Sequence, residues 1–228
     1  MVDEGSGGGP GPEALAQAVE GGLPVGGVVI LRGTGDPPPR TLGSEARAVA
    51  RAVPGRREEF ARGRAAAREA LVKAGGPAAE IGVGPGREPL WPAGWIGSIT
   101  HCRDLVGAVV APASSAAGLG LDAEPDLPLP IDVVGSVMDR TEEASAAASA
   151  MPLVAVFCAK EAVHKAVFPT TRVWMDFTDV RVHFAEGGSF RVEPVPGRTV
   201  AQGVGRLRGR IVRGGGWVLA VTVLPRER

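Results

Sequence analysis

Apolar residues in this chain fall in short blocks separated by glycine and proline, and the spacing inside each block predicts its structure. Leu23 to Leu31 reads as a first strand, ended by the break at Pro37–Pro39. From Arg56 to Ala74 the pattern turns helical. No proline interrupts it, and Phe60, Ala67 and Leu71 share one face beside a stripe of Arg57, Arg64 and Arg68. Glu58–Arg62 and Glu69–Lys73 stand at i,i+4 spacing on the solvated side, and Gly75-Gly76-Pro77 stops the helix. Trp95–Ile99 and Leu105–Val110 read as strands, and Ala111–Ala117 as an internal linker. Gly118–Leu121 predicts a strand that delivers Asp122-Ala123-Glu124 and ends at Pro125. Ala144–Phe168 predicts a second, strongly apolar helix. Val180–Phe184, Phe190–Val195, Arg206–Val212 and Trp217–Leu224 predict closing strands, the last alternating through Trp217, Leu219, Val221 and Val223.

The two helices share a local pattern. Ala67-Arg-Glu-Ala-Leu-Val-Lys-Ala74 and Ala159-Lys-Glu-Ala-Val-His-Lys-Ala166 agree at five of eight positions, and each is followed by a strand pair. Either this is chance between two alanine-rich helices, or the chain is two similar α/β halves with a natural site between them.

Composition narrows the function classes. The 228 residues suffice for a core without disulfide or metal staples. Zero formal net charge gives no ground for nucleic acid or membrane as a partner. Residues 40–73, however, carry nine basic side chains against four acidic ones, which suits a small polyanion. Cys102 and Cys158 lack metal-ligand or CxxC spacing, as expected of a reduced, cytoplasmic protein with no structural disulfide. The opening MVDEGSGGG is acidic and glycine-rich, unlike a signal or transit peptide, and reads as part of a flexible arm over residues 1–12. No apolar run is long enough to span a bilayer.

Four segments carry chemistry. In Gly118-Leu-Gly-Leu-Asp-Ala-Glu124 the i,i+2 spacing on an extended chain points Asp122 and Glu124 to one side. Two such carboxylates repel unless they share a cation or a proton, and hard oxygen ligands suit Mg2+; a solvated loop is the plainer alternative. The second helix is apolar nearly all round, so Glu161 and Lys165, at i,i+4 beside Phe157 and Phe168, need partners. They can pair with each other, or serve as metal ligand or base and as phosphate-neutralising group. Gly97-Ser-Ile-Thr100-His101-Cys102 offers a hydroxyl, an imidazole and backbone N–H groups for phosphate oxygens; a thiol nucleophile fits poorly, since neighbours on a strand face opposite ways. Gly84-Pro-Gly86-Arg87-Glu88-Pro89 is a rigid turn that adds a cation near Arg56, Arg64 and His101. No Walker lysine motif or dinucleotide glycine fingerprint is present.

In order, the Arg56–Leu71 helix, GREP-WP before residue 93, GSITHC, GLGLDAEP and FCAKEAVHKAVFP resemble the 4'-phosphopantetheinyl transferases. The likeness is to the monomeric, two-lobed kind that activates polyketide and peptide synthetases, particularly the actinobacterial branch, and covers about Arg56 to Phe184. It implies an α+β fold of two pseudo-twofold-related lobes, 13–113 and 118–228, with coenzyme A in the cleft between them. It implies that Asp122, Glu124 and Glu161 hold Mg2+ (or Mn2+) with the pyrophosphate of coenzyme A, that Lys165 touches the pyrophosphate, and that Thr100 and His101 contact phosphate. Arg56 and Arg64 would meet the 3'-phosphate, and Gly86, Arg87, Glu88 and Pro89 would frame the adenine. The carrier serine, deprotonated by Glu161 or a metal-bound water, would attack the β-phosphorus and release 3',5'-ADP. Partners would then be coenzyme A and apo acyl or peptidyl carrier proteins. Two departures concern the pocket beside the catalytic helix: His164 stands where the family has an aromatic residue, and Val167 where tryptophan is common. A phosphoesterase using the same carboxylates, and a non-enzymatic coenzyme A or carrier-binding module, are the competing readings.

Overall fold

A computed structural model describes residues 10–227, so residues 1–9 of the expected arm lie outside the described residues. The arm ends sooner than expected. Pro12, whose fixed φ suits a helix start, opens α1 (Pro12–Glu20), and Leu15 and Val19 bury its inner face. Next come β1 (Val28–Gly33), α2 (Gly43–Ala48) and α3 (Pro54–Lys73). The glycines after α3 stop it as expected: Gly75 takes φ 87°, and the N–H groups of Gly75 and Gly76 bond back to Val72 and Leu71. Two short strands, β2 (Gly82–Val83) and β3 (Pro89–Leu90), precede β4 (Trp95–Cys102) and β5 (Leu105–Pro112).

The second half runs β6 (Gly118–Pro125), α4 (Ile131–Val137), α5 (Arg140–Ala148), α6 (Leu153–Thr171), β7 (Val180–Phe184), β8 (Ser189–Pro194), β9 (Arg208–Gly214) and β10 (Trp217–Leu224). The span 144–168, expected to contain one helix, holds the end of α5 and most of α6. Ala150 turns the chain at φ 53°, and Pro152, the N-cap of α6, disfavours helical backbone before it. The expected linker 111–117 is docked rather than free, with Ala111 and Ala116 buried and Ala117 N–H bonded to Leu224.

Sheet order is β1-β5-β4 in the first half and β6-β10-β9-β8-β7 in the second, antiparallel throughout. In both, the first strand pairs with the last of its unit, and the long helix lies between the first strand and the strand at the opposite edge of the sheet. The core has three parts. Ala66, Ala67, Ala70 and Leu71 seat α3 on Ile30, Ala108 and Val110. Leu31, Val109, Leu119, Leu121 and Val221 fill the space between the sheets, where α1 adds Leu15 and Val19. The far face of the second sheet packs on α6 through Val218 and Ala220.

Each half also buries one glutamate completely. Glu45 in α2 accepts from the Leu42 and Ile81 N–H groups and pairs with Arg68 of α3. Glu142 in α5 accepts from the Asp139 and Val182 N–H groups and pairs with Lys160 of α6 at 2.8 Å. Arg68 and Lys160 are the second residues of the two matching octets. These charges tie each long helix to a short one and to a neighbouring backbone.

Candidate active site

Strand β6 sorts its residues by alternation. Leu119, Leu121 and Ala123 enter the core between the sheets, so Gly118, Gly120, Asp122 and Glu124 take the other face, toward α6. The two glycines let the helix rest directly on the strand. A Cβ on Gly118 would stand 2.1 Å from the Ala166 carbonyl oxygen, and one on Gly120 1.8 Å from that of Ala162. At that close approach Lys165 Nζ donates to Asp122 Oδ1 at 2.5 Å. Lys165 thus pairs with Asp122, not with Glu161.

Asp122 is only 3% exposed. Its Oδ1 accepts from Lys165 and, at 3.2 Å, from Thr100 Oγ1, while Oδ2 is buried without a partner among the described residues. Glu124 and Glu161, both half-buried, make no hydrogen bond or ion pair with the described residues. Burial and the Asp122 charge push the Glu124 carboxyl up to about 7, against the pull of Lys165, and the same two causes raise Glu161. Burial draws the Lys165 ammonium down, but Asp122 and Glu161 outweigh it and hold its pKa above the ordinary lysine value.

Among the described residues no three His, Cys, Asp or Glu side chains stand close enough together to enclose a metal ion. The expected ligand set of Asp122, Glu124 and Glu161 is therefore not assembled as a cage, which follows from like charge and from the pairing of Asp122 with Lys165. The donor chemistry nevertheless fits a hard divalent cation. Two carboxylates whose charged forms are disfavoured lie within electrostatic reach of Asp122, which keeps an unpartnered buried oxygen, and a cation would relieve both conditions.

The expected phosphate-binding residues divide. Arg56, Arg64, Arg87 and His101 line one pocket with Glu59, Phe60 and Pro89. Arg56 Nη1 lies 2.9 Å from His101 Nε2 and donates to it, which sets that nitrogen as the unprotonated one. Desolvation lowers the His101 pKa, with Arg56 and Lys165 in the same direction and Glu59 opposed. Arg64 differs from expectation. It is 5% exposed and donates to the carbonyls of Ile81 and Gly82 while its guanidinium sits over the Phe60 ring. Its burial brings its pKa down to about 10. Two of its five N–H groups hold α3 against β2, and the other three make no hydrogen bond with the described residues. Thr100 departs as well: it is 1% exposed, and its hydroxyl bonds to Asp122 and the Ala123 N–H rather than facing an open pocket.

Gly86, Arg87, Glu88 and Pro89 line a second pocket with Ser98, Lys165 and Phe168, so residues of both halves meet there. Gly86 is required by contact, since a Cβ would fall 2.5 Å from the Phe168 ring. Glu88 is buried and paired with Arg172, the left-handed cap of α6. Sequence reasoning missed this partner, because nothing local relates the turn at residue 88 to the end of α6. His164 occupies an aromatic role after all, its ring 5.2 Å from Phe168 and 4.8 Å from Trp174. Val167 is fully buried in the core. Neither thiol is activated: burial and nearby carboxylates push Cys102 up to about 12, and the fully buried Cys158 is raised as well.

The 4'-phosphopantetheinyl transferase N-terminal domain family matches residues 44–111, and the 4'-phosphopantetheinyl transferase superfamily matches residues 118–222. The chain is 42% identical over 155 residues to 4'-phosphopantetheinyl transferase PptT of Mycobacterium tuberculosis, covering 65% of this chain and 68% of that one. It is 40% identical to transferase Svp of Streptomyces mobaraensis (72% and 70% covered), and 37% identical to transferase Npt of Nocardia iowensis (68% and 76%). With both family matches in chain order and relatives of this identity over two thirds of their length, the chain belongs to the 4'-phosphopantetheinyl transferase superfamily, and its type is the actinobacterial one.

Proposed function

We propose that this chain performs the family's reaction with Mg2+, in a cleft between two pseudo-twofold-related lobes, 13–113 and 118–228, as a cytoplasmic monomer. The reaction is transfer of the 4'-phosphopantetheine group of coenzyme A to a serine of an apo carrier protein, leaving 3',5'-ADP. The metal, the residue roles and the lobes are the proposed parts. One observation carries the site: Asp122 keeps an unpartnered buried oxygen where Lys165, Glu124 and Glu161 gather. The recurring strand order supports the lobes.

Asp122, Glu124 and Glu161 would hold Mg2+, or Mn2+ in its place, together with the pyrophosphate of coenzyme A. Once bound, the cation neutralises phosphate charge and polarises the phosphoryl group under attack. Glu161 accepts the proton of the carrier serine as its oxygen attacks the β-phosphorus. Lys165 stabilises the negative charge that grows on the pyrophosphate oxygens as the bond to 3',5'-ADP breaks. Arg56 and His101 receive the 3'-phosphate, and the turn from Gly86 to Pro89 borders the adenine. The test is incubation with coenzyme A, Mg2+ and a panel of apo acyl and peptidyl carrier proteins, read by intact mass. Gain of one phosphopantetheine per carrier is expected; no gain on any carrier would overturn the reading.

A further inference from the structure

We infer that Thr100 orients the Asp122 carboxylate from across the junction of the two sheets and is a positioning residue for the transfer. The inference rests on the function proposed above. Strands β4 and β6 are edge strands of different sheets; they run side by side, and no main-chain ladder joins them. Two hydroxyls bridge the gap instead. Ser98 Oγ donates to the Leu121 carbonyl at 3.4 Å, and Thr100 Oγ1 accepts from the Ala123 N–H at 3.0 Å. Ser98 and Thr100 are i,i+2 on β4, so alternation sends both to the junction.

The hydroxyl has one proton, and the Ala123 amide can only donate. The Thr100 proton is therefore free for Asp122 Oδ1, 3.2 Å away, and the direction of this bond is determined. Lys165 donates to the same oxygen. With both donors on Oδ1, rotation of the carboxylate is fixed and Oδ2 remains without a partner. Thr100 and Asp122 are 1% and 3% exposed, so water does not readily replace the hydroxyl. Without it, one donor remains, and the carboxylate can swing to give Lys165 both oxygens. That would consume the oxygen that the site leaves available. Small misplacements of this kind are costly in transfer reactions, where positioning supplies much of the rate.

Thr100→Val removes the hydroxyl at nearly constant volume; Thr100→Ser keeps it. Turnover is measured with coenzyme A, Mg2+ and an apo carrier, and affinity for coenzyme A by calorimetry. Loss of a hydrogen bond to a charged group predicts a fall of about 10-fold or more in kcat for Thr100→Val. Affinity for coenzyme A should stay within about twofold, because the group lost acts on Asp122 and not on the substrate. Thr100→Ser should stay near wild type in both. Unchanged kcat in Thr100→Val would overturn the inference. So would affinity that weakens in step with turnover, which would place the hydroxyl on the substrate, or a Thr100→Ser variant as impaired as Thr100→Val. If Thr100→Val does not fold, Thr100→Ala takes its place under the same criteria. Wild-type protein that modifies no carrier would instead sink the transferase reading itself, a distinct outcome.

Discussion

The two halves of the molecule share a set of contacts around their long helices and differ in how the charges beside them end. In each, a buried glutamate caps a short helix, accepts from a neighbouring backbone N–H and pairs with the second residue of the matching octet: Glu45 with Arg68, Glu142 with Lys160. In each, the first strand faces the third octet residue with its fifth. There the likeness ends. In the first half those residues are Arg32 and Glu69, an exposed pair of opposite charge. In the second they are Asp122 and Glu161, two carboxylates of which only Asp122 pairs with an ammonium, that of Lys165.

The approach of the helix differs as well. Val28 and Ile30 on β1 pack under α3 as side chains, whereas the corresponding positions of β6 are Gly118 and Gly120, against which the backbone of α6 rests. At these positions the first half pairs its charges. The other, with the sign of one strand residue reversed and two side chains removed, brings like charges together and leaves an oxygen without a partner. At this strand and helix, the difference between a paired charge and a candidate site lies in few positions.

The largest expected effect tests the shared part. Lys160 and Glu142 are each 2% exposed at the side chain, and removing one leaves a buried unpaired charge, so Glu142→Ala should lose about 3–5 kcal/mol of stability in denaturant melts. Glu45→Ala should lose less, because Arg68 reaches solvent. Equal and negligible losses would break the equivalence of the two hubs.

The next prediction tests the difference. Asp122→Ala and Glu161→Ala should stay folded and lose about 10²–10³ in kcat, the usual contribution of a group aimed at developing charge. Glu69→Ala, at the matching position of the first half, should keep its turnover, since an exposed pair contributes little. Excess EDTA should abolish wild-type transfer, and Mg2+ or Mn2+ should restore it. Full activity in EDTA would remove the metal from the proposal.

Among the arginines, Arg56→Ala should narrow the preference for coenzyme A over dephospho-coenzyme A, by about 1.5–3 kcal/mol if the contact is charge-assisted. Arg64→Ala should lower stability as well, because two of its donors hold Ile81 and Gly82, and should change that preference less than Arg56→Ala does. Calorimetry with both ligands and thermal melts of both variants separate the roles.

The smallest effect is a pH dependence. Without metal, the folded state keeps the Glu124 proton up to about 7, while the ordinary value for the group is 4.5. The folded state then binds more protons than the unfolded chain in that window, so stability should fall as pH rises through it. Glu161, raised by the same causes, acts in the same direction. Melts in EDTA should show a loss of a few degrees between those pH values, flattened in Glu124→Gln. A melting temperature that rises with pH would show that the carboxylates are already compensated.

Most elements were legible from local pattern. Strand β10 and the end of α3 follow from alternation and from two glycines, both set by neighbours in the chain. Helix α1 was missed because its two buried side chains find their apolar partners only on the sheets. The break between α5 and α6 lay hidden in an apolar run, since Ala150 has no intrinsic signal for a left-handed turn. At the site, the sequence alone named Asp122, Glu124, Glu161 and Lys165. Strand alternation, helical spacing and the rule that buried charge needs a partner are properties of short segments.

Which partner each charge takes was decided by tertiary structure. Lys165 could have paired with Glu161 four residues away, yet Gly118 and Gly120 bring α6 close enough to give it Asp122. Thr100 and Arg64 carry the right groups for phosphate, yet the meeting of β4 with β6 consumes the Thr100 hydroxyl, and that of α3 with β2 takes two of the five Arg64 N–H groups. A polar side chain's chemistry is written in its own residue. Whether it faces ligand or protein depends on donors and acceptors far along the chain, and only the packing of the two halves brings those into reach.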